Sequence, residues 1–494
     1  MQGWVCSNSA TPPIQPSVTG YAGRCKAWFI FASLKWGIGL WDARLAGKIP
    51  RSQRGEGRAL SPPQYLPVHA LAPRIKSSIR RSAMHAPIYV LGGSQTDFAR
   101  NWARENLEIF DLFAEALQEA VQQAGVEPAQ IEVGHVGNFV GDLFTRQGLI
   151  GGFFGQVYPE LGQLPTSRHE AACASGSMAI LAAMRDIEAG HYDVACVVGL
   201  ELMRNVDGQT GAEYLGAAAW QGHEATTCDF PWPFLFDRIT EEYDHRYGID
   251  DAPLTRIAEI NFGNAKLNPR AQTREWAFAE GSFGEDPTLN PSIEGRVRKL
   301  DCGQITDGAA CVILASERFA KAHCEARGQN LADLPKIKGW GHRSAPILLE
   351  TKLAASKDHE LVFPHAAQAL ADARTRAGMA DISALDGLET HDCFTITEYM
   401  AIDHCRLTAP GESWKAVEEG RITRDGDFPI NPSGGLIGLG HPVGATGVRM
   451  VLDCARQVTG QAGDYQIANA ENMITFNVGG STTTCASFVV GVGS

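Results

Sequence analysis

Asp193-Val194-Ala195-Cys196-Val197-Val198-Gly199 is a continuous apolar run bounded by turn residues. A strand with one face in water alternates polar and apolar residues, whereas an unbroken run belongs to a strand covered on both faces, as in a parallel sheet between helical layers. Gln304–Leu314 ends in a second such run, and Ile88–Leu91 reads as an earlier strand. Between them, Glu108–Ala124 carries apolar residues at i, i+3, i+4 spacing and stops at Gly125, which predicts a helix. His135–Val140 and Ser167–Ala172 are further short strands, and Met178–Ala189 is a helical run. Strands alternating with helices point to an α/β layered fold.

The second half repeats this layout. Ile337–Trp340 and Leu385–Thr390 read as strands, Pro364–Ala377 and Val443–Val458 as helices, and Met473–Asn477 and Ala486–Val492 as closing strands. Between the halves, Asn205 to about Lys299 breaks the rhythm with Gly, Pro and aromatic residues, including Phe230-Pro231-Trp232-Pro233-Phe234, and helices are expected near Ile239–Tyr247 and Ala252–Leu267. It reads as an inserted excursion over the site. At 494 residues the chain exceeds what one hydrophobic core usually serves, which fits a duplicated unit. The expected organisation is residues 1–83 as an atypical extension, 84–330 as a first half with the insertion at about 203–300, and 331–494 as a second half.

Residues 1–83 differ in charge from the rest: twelve Lys and Arg stand against two Asp and Glu, while the whole chain carries a formal net charge of -13. The remaining body is therefore near -23, which argues against broad nucleic-acid binding. Ala27–Trp41 is apolar but contains Lys35 and is too short to span a bilayer. The extension reads as an organelle leader, a disordered arm or upstream sequence before a true start at Met84; the last is favoured because a strand-like Ile88–Leu91 follows at once. Twelve cysteines without CxxC pairs or metal-ligand spacing suggest reduced thiols, hence a cytoplasmic setting with neither a disulfide scaffold nor a metal site.

His169–Ile180 (HEAACASGSMAI) places Cys173 among small residues just ahead of a helix. Free N–H groups and partial positive charge at a helix N-terminus favour a thiolate. The helix end supplies only about 0.3–1 kcal/mol, seldom above about 2, so a base must complete the activation of a thiol with pKa near about 8.5. Alone, a cysteine in such a place is more often an inert packed residue. Asn431–Gly447 (NPSGGLIGLGHPVGATG) is the second dense stretch, and its His441 stands before Pro442, a suitable first-turn residue. A dinucleotide fingerprint is the rival, but Asn-Pro-Ser-Gly-Gly is not the strand that such a fingerprint needs. Asp307, in an Asp-Gly turn signal, is more readily a turn-fixing carboxylate than an acid.

Cys173 in CASG, His391-Asp392-Cys393-Phe394, Gly440-His441-Pro442 and Asn477-Val478-Gly479-Gly480 occur in this order, and together they resemble the thiolases, specifically the HDCF branch that includes sterol-carrier-type and archaeal acetoacetyl-CoA thiolases. The resemblance spans about Met84 to Ser494. It implies a five-layered αβαβα fold from two similar halves with an inserted loop domain, and a homodimer or homotetramer. It implies Cys173 as acyl-accepting nucleophile and His441 as its base. One oxyanion hole would use the N–H groups of Cys173 and Gly479; a second would use His441 and a water held by His391. Phe394 and Gly440 would line the substrate. The chain departs at Asn477, where most thiolases carry an acid/base cysteine; the HDCF branch suggests Cys393 instead, with Cys485 the alternative. Asp392 is expected as a hydrogen-bonder. The implied reaction is reversible Claisen chemistry on acyl-CoA, most simply acetyl-CoA acetyl transfer, with coenzyme A as substrate and no cofactor. Arg204, Arg238 and Arg296 are candidates to meet its phosphates. A small acyl-handling partner protein is a further implication. The alternatives are a non-catalytic acyl-CoA or lipid carrier, kept open by Asn477, and another cysteine-dependent condensing enzyme.

Overall fold

The computed structural model describes residues 87–284 and 286–493, so the expectations for residues 1–83 lie outside the described residues. The strands are β1 (Ile88–Gln95), β2 (Val133–Gly137), β3 (Thr166–His169), β4 (Val194–Glu201), a small hairpin of β5 (Ser292–Glu294) and β6 (Val297–Arg298), then β7 (Gly308–Ala315), β8 (Lys336–Ser344), β9 (Gly387–Thr390), β10 (Asn472–Gly479) and β11 (Thr484–Gly491). The helices that matter here are α1 (Ile109–Ala124), α2 (Ser175–Glu188), α3 (Pro231–Tyr247), α4 (Asp251–Ala265), α5 (Leu349–Ser356), α6 (Pro364–Arg376), α7 (Thr395–His404) and α8 (Thr446–Val458).

Nine strands form one ladder in the order β3-β2-β4-β7-β1-β8-β11-β10-β9. Read outward from its centre, the ladder repeats itself. β1 pairs antiparallel with β7, β7 antiparallel with β4, and β4 parallel with β2. Likewise β8 pairs antiparallel with β11, β11 antiparallel with β10, and β10 parallel with β9. Within the ladder the two halves meet where β1 pairs antiparallel with β8, through Ile88↔Ile337 and Tyr89↔Lys336. The first half adds β3, parallel to β2, as its outer edge. This is the duplication expected from the order of elements, although the side chains of the halves differ.

The helices complete five layers, αβαβα. α1 covers the outer face of the first sheet and α6 that of the second, while α8 packs on strands of both halves and on α2 between them. α1 begins with a capping box between Glu108 and Asp111 and ends at Gly125 in the left-handed region, φ 62°. Its Leu112, Phe113, Ala116 and Leu117 are fully buried, and side chains of the Leu and Phe class each gain about 1.5–3 kcal/mol by such burial. Central position makes α8 nearly all buried, polar residues included.

Several boundaries differ from the sequence expectations. α2 begins at Ser175, three residues earlier than the expected Met178. β3 stops at His169, short of Ala172, because the chain turns there to present Cys173. β7 begins only at Gly308; Asp307 is held in the preceding turn, where its carboxylate accepts the N–H groups of Trp102, Met203 and Arg204. Phe230-Pro231-Trp232-Pro233 opens helix α3 with Pro231 at its first position, eight residues before the expected start at Ile239. Helices α5 and α7 were not expected; every residue of α7 is buried, so it carries no amphipathic period to read. Among the described residues no helix is long and apolar enough to cross a membrane.

Candidate active site

Cys173, His391 and His441 come from both halves and converge. The sulfur and one nitrogen of each ring lie within 4.8 Å of one another. The two imidazoles stand edge to face, centroids 5.2 Å apart at 86°. Cys173 sits in a single turn, Ala172–Ala174, between β3 and α2. The chain enters that turn through Ala172 at φ 49°, a left-handed conformation that costs a residue with a Cβ about 1–2 kcal/mol. Ser175 braces it: its hydroxyl donates to the Ala172 carbonyl at 2.6 Å and accepts the Ala171 N–H at 2.9 Å. The first turns of α2 and α8 then pack backbone to backbone. A Cβ on Gly176 would lie 2.7 Å from the Gly444 carbonyl, and one on Gly447 would lie 2.3 Å from Ser177 Oγ. The small residues of both motifs thus bring two helix N-termini under one site.

The surrounding hydrogen bonds assign the state of each ring. His441 Nδ1 is 2.7 Å from Thr446 Oγ1, whose own proton reaches the Pro442 carbonyl at 3.2 Å. Where the Thr446 hydroxyl donates to that carbonyl, the proton of the first contact sits on Nδ1 and His441 Nε2 keeps a free lone pair. The His441 N–H is tied to Thr306 Oγ1 at 2.9 Å. Asn477 is oriented by the Cys173 carbonyl, an acceptor only, which takes its amide N–H at 3.2 Å. The same nitrogen is 3.1 Å from His391 Nδ1, and Asn477 Oδ1 accepts from Ser177 Oγ at 2.7 Å. His391 Nδ1 is thereby an acceptor, so its Nε2 carries the hydrogen. The trio holds one ring ready to accept a proton and one ready to donate a hydrogen bond.

Burial decides the resting charges. It pushes the Cys173 thiol up to about 12, although the backbone N–H groups of Cys173 and Gly480 face the sulfur and oppose the rise. That rise outweighs what the helix end returns. Burial, with the Arg449 charge second, brings His441 down to about 3. His391 is also held well below the usual imidazole range by burial, then by His441 and Arg449. The pair rests as neutral thiol and neutral imidazole, so the thiolate favoured by the helix end alone is outweighed. Arg449 is itself fully buried, paired with Glu389 at 2.6 Å and Asp453 at 3.2 Å.

Of the remaining candidates, Cys393 and Phe394 line a cavity of about 440 Å³ with the trio, whereas Gly440, Gly479, Asp392, Cys485 and the three arginines are not among its lining residues. Cys393 borders it beside the trio, its thiol pushed well up by burial. Phe394 stacks on Phe236 at 4.4 Å, and Met203, Leu215 and Trp232 give the walls an apolar character. Gly440 adopts φ 122° ahead of His441. Gly479 runs so close to Ala171 that a Cβ would lie 2.1 Å from its carbonyl oxygen; the next residue, Gly480, borders the cavity and directs its N–H at the sulfur. Asp392 accepts the N–H groups of Leu436 and Ile437 and the Asn261 amide, pinning the glycine-rich turn that leads to His441. Cys485 lies in the core of β11 with its sulfur toward the Thr482 carbonyl, away from the cavity. Arg204 donates to the Ala99 and Arg100 carbonyls, Arg238 pairs with Glu241 and Glu350, and Arg296 with Asp244 and Asp251. A thiolate and two imidazoles also form a donor set that zinc could take, at the expense of proton transfer between them.

Sequence reasoning passed over Thr306, Thr446, Ser177 and Gly480. Thr446, five residues after His441 across one turn, was the readable one.

Comparisons with known proteins show the family and the fold. Residues 88–272 match the family model described as thiolase, N-terminal domain, and residues 349–492 that described as thiolase C-terminal domain-like. An acetyl-CoA acetyltransferase of Methanothermobacter thermautotrophicus is 32% identical over 403 residues, covering 81% of this chain and 98% of the relative. Sterol carrier protein 2 of Gallus gallus is 26% identical, covering 80% of this chain and 70% of the relative. Among solved structures, an Ltp2-ChsH2(DUF35) aldolase aligns with TM-score 0.64 at 18% identity, covering 83% of this chain and 98% of that one. Human mitochondrial 3-ketoacyl-CoA thiolase aligns with TM-score 0.58 at 14% identity, covering 83% and 100%.

Proposed function

The chain belongs to the thiolase family, and from that premise we propose that it is an acyl-CoA C-acyltransferase that cleaves 3-ketoacyl-CoA with coenzyme A and runs the reverse Claisen condensation, with acetyl-CoA as the simplest donor. The observation that carries this reading is the convergence of Cys173 Sγ with a ring nitrogen each of His441 and His391 within 4.8 Å of one another.

In cleavage, His441 Nε2 takes the Cys173 proton as the sulfur attacks the 3-keto carbon. The resulting oxyanion is met by the N–H groups at Cys173 and at the Gly479-Gly480 turn; one such donor is worth roughly 2.7–4 kcal/mol. The C2–C3 bond breaks, and the acetyl-CoA enolate oxygen is held by the His391 Nε2–H and by His441, now protonated. Cys393, a neutral thiol at rest because of its burial, gives its proton to C2. Its thiolate then deprotonates incoming coenzyme A, which attacks the acyl-Cys173 thioester. Cys173 leaves as thiolate and recovers its proton from His441. Both thiols end as they began.

Asn477 removes the usual second cysteine but leaves no gap in this scheme, since it orients His391. A non-catalytic acyl-CoA carrier is the second reading, favoured by that same substitution and by the apolar cavity. One solved neighbour, the Ltp2-ChsH2(DUF35) aldolase, pairs its Ltp2 chain with a DUF35 component, which keeps a small acyl-handling partner protein within the proposal. Incubation with acetoacetyl-CoA and coenzyme A tests it: the enolate absorbance should decay in proportion to enzyme, whereas a carrier would bind acyl-CoA and leave the absorbance unchanged.

A further inference from the structure

One buried cation plays no part in the steps above. Lys352, on α5, is 4% exposed and forms no ion pair among those described. Its ammonium donates three hydrogen bonds: to the Ile347 carbonyl at 3.1 Å, Ser481 Oγ at 2.9 Å and Thr483 Oγ1 at 3.0 Å. The last two belong to the four-residue turn joining β10 to β11. That turn holds Gly480 at φ 63° and Thr482 at φ 64°, two left-handed residues, one of them with a Cβ. From α6, His365 Nε2 grips the same turn through the Thr482 carbonyl at 2.8 Å. The same turn carries Gly480, which lines the cavity together with Cys173 and whose backbone N–H favours the thiolate there.

We infer that Lys352 is a positioning residue for the acyl-cysteine site, clamping the 480–483 turn so that its backbone N–H points where the oxyanion forms. This rests on the reading of Cys173 as the acylated nucleophile. The chemistry favours an ammonium here. Three acceptors converge, an ammonium offers three N–H bonds, and a neutral amine offers two. A neutral side chain of the same length would leave hydroxyl and carbonyl oxygens unpaired behind a strained turn. Burial brings the Lys352 ammonium down to about 8, with Glu224 and Cys485 opposing; Glu224, in the inserted segment, accepts the Leu349 N–H at the start of α5, while Cys485 lies on β11 and His365 on α6. Above about pH 8 one of the three bonds is lost, and the clamp loosens.

The test is single-turnover acylation by acetyl-CoA, followed by intact-protein mass, for wild type, Lys352→Met, Lys352→Arg, Cys173→Ala and the double variant Ser481→Ala/Thr483→Val. Lys352→Met is expected to acylate about 10–100-fold more slowly, as small misplacements of reacting groups do, with acetyl-CoA affinity little changed. The hydroxyl double variant should show the same defect with the lysine intact. Lys352→Arg should recover most of the rate and lose the fall that wild type shows above about pH 8. Wild-type acylation rates in both Lys352→Met and the double variant overturn the inference. If Lys352→Met does not fold, the double variant decides alone. Acylation persisting in Cys173→Ala overturns the underlying reading instead.

Discussion

At the scale of single residues, the site works by assigning protons. Asn477 fixes the His391 tautomer because the Cys173 carbonyl can only accept. Asn477→Asp replaces that donor by an acceptor, draws the ring proton onto Nδ1 and leaves Nε2 without the hydrogen that the enolate oxygen needs. The expected outcome is a fall in kcat of about 10³-fold or more, as other wrong-tautomer substitutions give, with KM little changed; a kcat within a few-fold of wild type would contradict the assignment. His441 leaves a second signature, in stability. Its folded pKa, about 3, lies below the ordinary 6.5, so between these values the unfolded chain binds a proton that the folded chain refuses. Stability from this group is therefore complete above pH 6.5 and is lost as pH falls toward 3. At pH 4.5 the loss is about 3 kcal/mol. Urea unfolding of His441→Asn should decline less than wild type between pH 6.5 and 4.5. Cys173, His391, Cys393 and His441 were all legible because each sits in a short motif. The tie between Ser177 and Asn477, 300 residues apart, has no local trace, which is why Asn477 reads in sequence as a loss.

At the scale of elements, the reactive geometry depends on how closely α2 and α8 approach. Gly176→Ala would place a methyl 2.7 Å from the Gly444 carbonyl and 3.0 Å from the Val448 nitrogen, with backbone on both sides and no flexible side chain to yield. Overpacking of this kind costs about 1–3 kcal/mol, measurable as a lower urea midpoint. Because one helix follows Cys173 and the other follows His441, acylation should slow as well. A stable variant acylating at the wild-type rate would show that the helices have slack. Periodicity made α1, α6 and the buried strands legible. It failed for α7, which is buried all round, and for the stretch before β7, where Asp307 spends its carboxylate on three N–H groups and the residues ahead of it do not continue the strand.

At the scale of the whole molecule, duplication was visible in the order of elements, and the ladder proves it by repeating the same pairings in the same directions. The exception is β3, which has no counterpart among the described strands of the second half. It ends the ladder with Thr166 and Ser167 exposed, and Leu143 and Leu149, 42% and 92% exposed, stand on the preceding segment. An open strand edge beside exposed apolar side chains invites pairing with another chain. Light scattering is expected to give a dimer or tetramer, and a monomer at micromolar concentration would contradict that expectation. The catalytic account itself depends on a covalent bond between substrate and one sulfur. Intact-protein and peptide mass spectrometry after brief exposure to acetyl-CoA measures it directly. One added acetyl group is expected on the peptide containing Cys173, absent from Cys173→Ala and formed slowly by His441→Asn. No adduct on the wild type, or an equal adduct on Cys173→Ala, would contradict it.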